Sequence, residues 1–360
     1  MGLLRRRAFL LGLPALAAPK GQLLPSGAKR YLDPLTEREI WRLTPLSSPH
    51  FLPHTYQRFT TQKNNFLLLA ERQGEETHAR RLDLPSGRMT QLTQGPGLAG
   101  FSLCLAPDER SFFYLQNGTL RQMGLRTLRD REIWRSEENW RLTGDLSISI
   151  DGRYAAVVET NDVLHRLRAI ETFKGKNWIL VEEKSRLRRP QLRPKRDQVL
   201  YSLADPHRLF LVNLDGKQKQ AVRFPEPVEE IGPEYWTGDG KLLGYVHYFN
   251  RKSTARTYNP DTREDTLLGR CTQFWGVMGN ADNSALAGES RSKAGPNIYV
   301  LFPLVDREIT VCEHASSRSS PEVEPRPAFS PDSQWIYFNS DREGAPAVYR
   351  AGVADWVEKT

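Results

Sequence analysis

A short phrase recurs along this chain at intervals of about 43 to 50 residues, and it limits the possible folds more than any other feature. Its clearest copies read Ala106-Pro-Asp-Glu-Arg-Ser-Phe-Phe-Tyr-Leu115 and Ser330-Pro-Asp-Ser-Gln-Trp-Ile-Tyr-Phe338; weaker ones begin at Thr60, Ser149, Arg193, Thr237 and Asn280. Each is a polar turn centred on Asp, Gly or Asn, followed by a run of β-branched, aromatic and aliphatic residues. A repeat of this length is what one four-stranded blade leaves in sequence, so seven copies predict an all-β fold, a seven-bladed β-propeller. A ring of this kind gathers its loops over a central channel, which is where a ligand site is expected.

The two ends of the chain bear on how the ring closes. Glu39-Ile-Trp-Arg-Leu-Thr44 alternates like a strand and resembles Met89-Thr-Gln-Leu-Thr93, which ends the first blade. The last copy runs out after Ala347-Val-Tyr-Arg350 without an equivalent outer strand. The N-terminal segment is therefore expected to fill that place, leaving no open strand edge at the seam. The expected division is an export signal over 1–18, a Pro/Gly-rich linker over 19–38 and the propeller over 39–360. Pro85-Ser-Gly87, Asn117-Gly118, Asp215-Gly216 and Asn259-Pro-Asp261 read as hairpin turns. The charged stretch from Asn161 to Arg188 reads as a long loop overhanging one face.

The first eighteen residues have a basic head, a short apolar run and a small-residue cleavage site at Ala15-Leu16-Ala17, and Arg6-Arg7-Ala8-Phe9-Leu10 is similar to a twin-arginine export signal. A periplasmic or secreted bacterial protein is expected, with no membrane association once the signal is removed. Cys104, Cys271 and Cys312 are too few and too scattered for a disulfide framework and read as buried thiols. The net charge of +8 favours an acidic partner. The basic run Lys184 to Arg189 carries no nucleic-acid reader motif, so an acidic polysaccharide is expected rather than nucleic acid. A monomer is expected.

Taken together the blades resemble the oligogalacturonate lyase family, seven-bladed propellers that cleave short galacturonides by β-elimination. The resemblance rests on Ile40-Trp-Arg-Leu-Thr-Pro45, Tyr56-Gln57, Leu82-Asp-Leu-Pro-Ser-Gly-Arg-Met-Thr-Gln-Leu-Thr93 and Glu234-Tyr-Trp236 with Gly238-Asp-Gly240. It continues in Met278-Gly-Asn-Ala-Asp282, Pro325-Arg-Pro-Ala-Phe-Ser-Pro-Asp332 and Asn339-Ser-Asp-Arg-Glu-Gly-Ala-Pro346. It implies a role in pectin breakdown and a manganese ion held by histidines and a glutamine. In this chain the matching positions read Pro233, Gly276, Glu324, Arg326 and, near the glutamine, Pro321, so no metal ligands are assigned. Glu324, Arg326 and His54 are instead the candidate catalytic residues. Glu324 and Arg326, two apart, point the same way on extended backbone, and Arg326 has the fork to bind a uronate carboxylate. Gln57, Tyr56, Arg189, Arg193, Glu234, Tyr235 and Trp275 are the candidate substrate contacts. Two other readings stay open: a non-catalytic propeller that binds acidic oligosaccharide, and a TolB-like propeller that binds protein.

Overall fold

Seven antiparallel sheets form a ring in the computed structural model, which describes residues 19–204 and 207–358. The expected export signal lies outside these residues. Blades 1 to 6 follow the chain. Their innermost strands are His50–Phe51, Cys104–Leu105, Arg141–Ile148, Leu187–Leu192, the pair Glu230–Ile231 and Tyr235–Trp236, and Phe274–Gly279. Blade 7 combines Ala328–Phe329, Trp335–Ser340 and Ala347–Gly352 with Glu39–Arg42 from the other end of the chain, registered as Ile40 opposite Ala351 and Arg42 opposite Tyr349. The expected closure of the ring is found.

The recurring phrase has one structural meaning throughout: it joins the innermost strand of each blade to the second. In all seven turns an amide donates to the carbonyl five residues on: Thr61 to Phe66, Ala106 to Ser111, Ser149 to Tyr154, Arg193 to Gln198, Thr237 to Leu242, Asn280 to Ala285 and Ser330 to Trp335. Where the first residue is Ser, Thr or Asn, its side chain also accepts an amide, as Ser149 Oγ does from Tyr154 and Ser330 Oγ from Trp335. That local bond explains the polar start of each copy.

The apolar run that follows is continuous because both of its faces are buried. In Phe66–Gln73, Leu67 and Leu69 join the cluster shared with blade 7, whereas Leu68 and Ala70 join the one shared with blade 2. Ser111–Gln116 divides in the same way, with Phe112 and Tyr114 facing blade 1 and Phe113 and Leu115 facing blade 3. Seven such clusters occupy the seven blade interfaces. A fully buried Leu or Phe contributes about 1.5–3 kcal/mol, so the ring is held by contacts between blades as much as within them.

Two expectations are corrected. Residues 19–38 do not form a plain linker: Leu23–Leu24 pairs outside Met89–Gln91 in blade 1, and Lys29–Leu32 pairs outside Glu39–Arg42 in blade 7. Pro and Gly still mark the turns between these pieces, but the edges of two blades offered backbone partners that composition alone did not reveal. Nor does Asn161 to Arg188 overhang a face. It forms the hairpin and outer strands His165–Glu171 and Asn177–Glu183 of blade 3. Its charges pair on the outer strands, as Arg166 Nε does in donating to Glu182 at 2.6 Å.

Asn117 and Gly118 both have positive φ, at 49° and 70°, as the expected two-residue hairpin requires. The three cysteines are free and buried, and burial raises Cys104 to about 11 and Cys271 to about 12, so both stay as inert thiols. Among the described residues no helix is long and apolar enough to cross a membrane.

Candidate active site at the channel mouth

The innermost strands of blades 1 to 6 are each interrupted once, and these interruptions, with the segment leading into Ala328–Phe329 of blade 7, build the site. The ladder of blade 3 shifts between Leu142 and Leu146, that of blade 4 between Arg188 and Gln191, and that of blade 6 between Phe274 and Gly276. Blade 5 breaks between Ile231 and Tyr235, and blade 2 inserts the short 3-10 turn Gly100–Ser102. In blade 1 the strand leaves its partner after Phe51 and meets it again at Thr60. Bulges of this kind turn side chains out of the pleat. Arg189 lies in the blade 4 bulge and Arg326 just ahead of Ala328–Phe329, with φ of 51° and 43°, backbone in the left-handed region that side chains other than Gly rarely adopt.

Together they enclose a small cavity of about 30 Å³, lined among others by His54, Tyr56, Arg189, Gly276, Glu289 and Arg326. His54 stacks on Tyr56 with centroids 5.0 Å apart and on Phe101 at 5.2 Å, and Phe101 also lies 5.1 Å from the Arg326 guanidinium. On the opposite side Arg189 Nε donates to Glu234 Oε1 at 3.0 Å, and Gln191 Nε2 donates to the same oxygen at 2.9 Å. The Arg189 amide donates to Asp145 Oδ1 at 3.2 Å. The Tyr56 hydroxyl and Nη1 of Arg326 are buried without a hydrogen-bond partner.

Although solvent reaches this cavity through the mouth, protein surrounds each group on its other sides, and that packing governs their protonation. Burial, with the charges of Arg326 and Arg189, holds His54 well below its usual 6.5, so the ring is neutral. Burial, reinforced by Asp145, holds Tyr56 well above the usual phenol value, so it is a hydrogen-bond donor. The Arg326 guanidinium is lowered by burial and by Arg189, yet stays charged. Burial disfavours the charge of Arg189 as well, but Glu234, Tyr56 and Asp145 together outweigh it and lift that group. Glu289, 3% exposed, is pushed up to about 7, mainly by burial, against the opposing pull of Arg318.

Of the residues singled out in sequence, His54, Tyr56, Arg189 and Arg326 meet at this cavity, with Glu234 behind Arg189. The others have different tasks. Glu324 does not hold Arg326; its Oε2 accepts from Arg318 Nη1 at 2.5 Å. The expectation that residues two apart share a side assumed extended backbone, and the positive φ of Arg326 breaks it. Gln57 is buried and donates to the Leu146 carbonyl, tying blade 1 to blade 3. Tyr235 is 3% exposed and donates to Asn283 Oδ1 at 2.5 Å, joining blades 5 and 6. Trp275 is covered by the Arg291 guanidinium on its ring and by Tyr248 at 5.2 Å, so no sugar platform is free there.

Arg193 sits at the other end of its strand from Arg189, in the turn position that Ser, Thr or Asn holds in five of the other six blades. Its Nη1 and Nη2 donate to Asp261 at 2.8 and 2.7 Å, and its Nε to the Gly240 carbonyl at 2.7 Å, bridging blades 4 and 5. Arg193→Ala should therefore lower stability by about 1–3 kcal/mol and leave binding at the mouth unchanged. A denaturant midpoint and a binding titration check this; lost binding at unchanged stability would mean that Arg193 serves the mouth after all.

Glu289 and Asp145 were not singled out in sequence. The available signal was a lone acid inside an otherwise small or apolar strand, Ala287-Gly-Glu-Ser290, and another beside Gly144 in Arg141–Ile148. Gly276 matters through what it lacks, since a Cβ there would lie 3.0 Å from Glu289 Oε1. Glycine leaves the room in which that carboxyl meets the cavity.

Comparison with known proteins agrees with this architecture. The chain is 26% identical to the oligogalacturonate lyase of Dickeya dadantii over 94% of its own length and 99% of that protein. A solved structure described as oligogalacturonate lyase in complex with manganese superposes with a TM-score of 0.88 at 26% identity, covering 93% of this chain and 98% of that one. The oligogalacturonate lyase of Vibrio parahaemolyticus gives 0.86 at 26% identity, covering 93% and 99%. The sequence profile described as Oligogalacturonate lyase matches residues 18–161 and 153–357, nearly the whole described structure, and the chain belongs to the oligogalacturonate lyase family.

Proposed function

We propose that this protein cleaves short galacturonides by β-elimination at the channel mouth, as part of pectin breakdown. The observation that carries the reading is the match along almost the whole chain to lyases of this substrate, and a cationic cavity where the inner strands meet is its chemical counterpart. In the reaction the C–H bond at the carbon bearing the carboxylate breaks, the neighbouring C–O bond to the leaving sugar breaks, and a C=C bond forms between the two carbons. The leaving oxygen keeps the C–O electron pair and takes up a proton from solvent to become a hydroxyl. The protein must take the proton and hold the negative charge that spreads onto the carboxylate.

Glu289 suits the first task. Its carboxyl, raised to about 7, is ionised in part near neutrality, where a general base is most effective. His54, whose basicity is suppressed by burial and by the charges of Arg326 and Arg189, forms the stacked wall rather than the proton acceptor. Arg326 and Arg189 suit the second task as fixed cations in a site of low dielectric.

The manganese that the family resemblance implies does not fit the residues present. No group of three or more His, Cys, Asp or Glu side chains among the described residues is arranged to hold a metal ion. The cavity presents the guanidiniums of Arg189 and Arg326, the latter with Nη1 unpartnered, and these repel a cation. No step of the reaction is therefore routed through a metal.

The site of action belongs to the same proposal. With 1–18 as an export signal, the protein meets its substrate outside the cytoplasm, as a monomer. The test is the ultraviolet absorbance of the new conjugated double bond on incubating mature protein with digalacturonate. A rise that Glu289→Gln abolishes is expected. No rise, with an active lyase as control, would leave a propeller that binds acidic oligosaccharide without cleaving it.

A further inference from the structure

We propose that one carboxylate of an acidic sugar binds at the channel mouth directly between the guanidiniums of Arg189 and Arg326, with no metal ion intervening. The identity of the sugar rests on the galacturonide reading above; the carboxylate site stands on the geometry.

Arg326 is the centre of the argument. Burying a charge is costly unless it is paired, and the nearest carboxylates do not pair with it. Glu324 accepts from Arg318, and Glu289 is a weak partner because it is protonated in part near neutrality. Nη1 of Arg326 is left buried without a partner, and so is the Tyr56 hydroxyl on the same cavity. Orphaned donors of this kind are uncommon in folded proteins and call for an explanation. A carboxylate supplies one, since it brings two acceptor oxygens that an arginine fork takes bidentately and that a phenol can donate to as well.

The size of the site agrees. About 30 Å³ holds one small polar group rather than a sugar ring, so the carboxylate enters and the ring stays above it. Phe101 and the stacked His54 form an apolar floor and wall beside Arg326, which strengthens the pairing by keeping water away. Arg189, fixed from behind by Glu234, keeps part of its fork free for the same ligand.

Glu289 adds a pH dependence. It faces Arg326, Arg318, Arg291 and Glu324. Once ionised it competes with the ligand for Arg326, so carboxylate affinity should fall as pH rises through about 7.

The test is calorimetric titration of the full mature chain with digalacturonate, in chelator in one series and with added Mn²⁺ and no chelator in a second. Binding should persist in chelator and be unchanged by added Mn²⁺. Arg326→Gln should weaken it about 10- to 100-fold, the range for a lost charge-assisted pair. Arg326→Lys, which keeps the charge and loses the fork, should weaken it less. Both variants should melt cooperatively, because neither removes a paired group. Binding that appears only with Mn²⁺, or that Arg326→Gln leaves unchanged, overturns the proposal. If neutral digalactose binds as tightly as digalacturonate, the carboxylate site falls while a sugar-binding role stands. If propionate binds with the same dependence on Arg326 and digalacturonate does not, the carboxylate site stands and the galacturonide reading falls. If none of the three binds, both fall.

Discussion

Ile40→Asp should open the ring. Ile40 is 0% exposed, lies in the strand that completes blade 7, and packs in the cluster that joins blades 6 and 7 with Ile336, Phe338 and Ala351. Removing a buried isoleucine side chain costs about 2–5 kcal/mol through lost burial and the cavity left behind, and an unpaired carboxylate in the same place adds a desolvation cost. Against a net stability of about 5–15 kcal/mol for a typical fold, the change should lower the denaturant midpoint severely or leave no folded protein to measure. Leu32→Asp is the control. It lies one strand further out and is 62% exposed, so its cost should stay within about 0.5 kcal/mol. Equal behaviour of the two variants would mean that closure does not depend on the N-terminal strand.

The second large effect is on stability as a function of pH. The Glu289 carboxyl stands near 4.5 in an unfolded chain and at about 7 in the folded protein, chiefly because it is buried. Between these values the folded state binds more protons than the unfolded one, so stability from this group is full below about 4.5 and is lost as pH rises through about 7. At about 1.4 kcal/mol per pKa unit, the loss is on the order of 3 kcal/mol at alkaline pH. Glu289→Gln keeps the shape and removes the titration. The variant should match its parent in acid and exceed it above neutrality. Histidines held neutral by burial, His54 and His314 among them, change stability in the opposite direction below about 6.5. The difference between variant and parent at each pH is therefore the quantity to measure, and parallel curves would show that Glu289 does not titrate in this window. A group this costly at a channel mouth is more readily understood as functional than as structural.

The same residues explain which parts of the site could be read in advance. His54, Tyr56, Arg189 and Arg326 precede or open their repeats, and the position of each in the repeat carries it to the mouth. Gln57, Tyr235, Arg193 and Trp275 occupy equally suggestive places and were assigned to the sugar. Their side chains reach across to another blade instead, as Gln57 does to Leu146 and Arg193 to Asp261. Each of those partners lies tens of residues away, so no local pattern could announce it. Glu324 shows a different limit. Its direction relative to Arg326 depended on one backbone angle, the positive φ of Arg326.

The number of blades and the turn that starts each repeat were set locally, by hydrogen bonds within a few residues and by runs of apolar side chains buried on both faces. The sharing of blade 7 between distant chain ends was legible because the repeat left one strand missing at one end and supplied it at the other. These features recur with a period, and a period is visible in one dimension. The charge state of the site is not. Whether Glu289 sits at 4.5 or about 7, and whether Arg326 has a partner, depends on which groups from blades 1, 2, 4, 6 and 7 arrive within a few ångströms of one another. That distance exists only after the ring has closed, because Coulomb energy and desolvation depend on the folded neighbourhood and not on the order of residues along the chain.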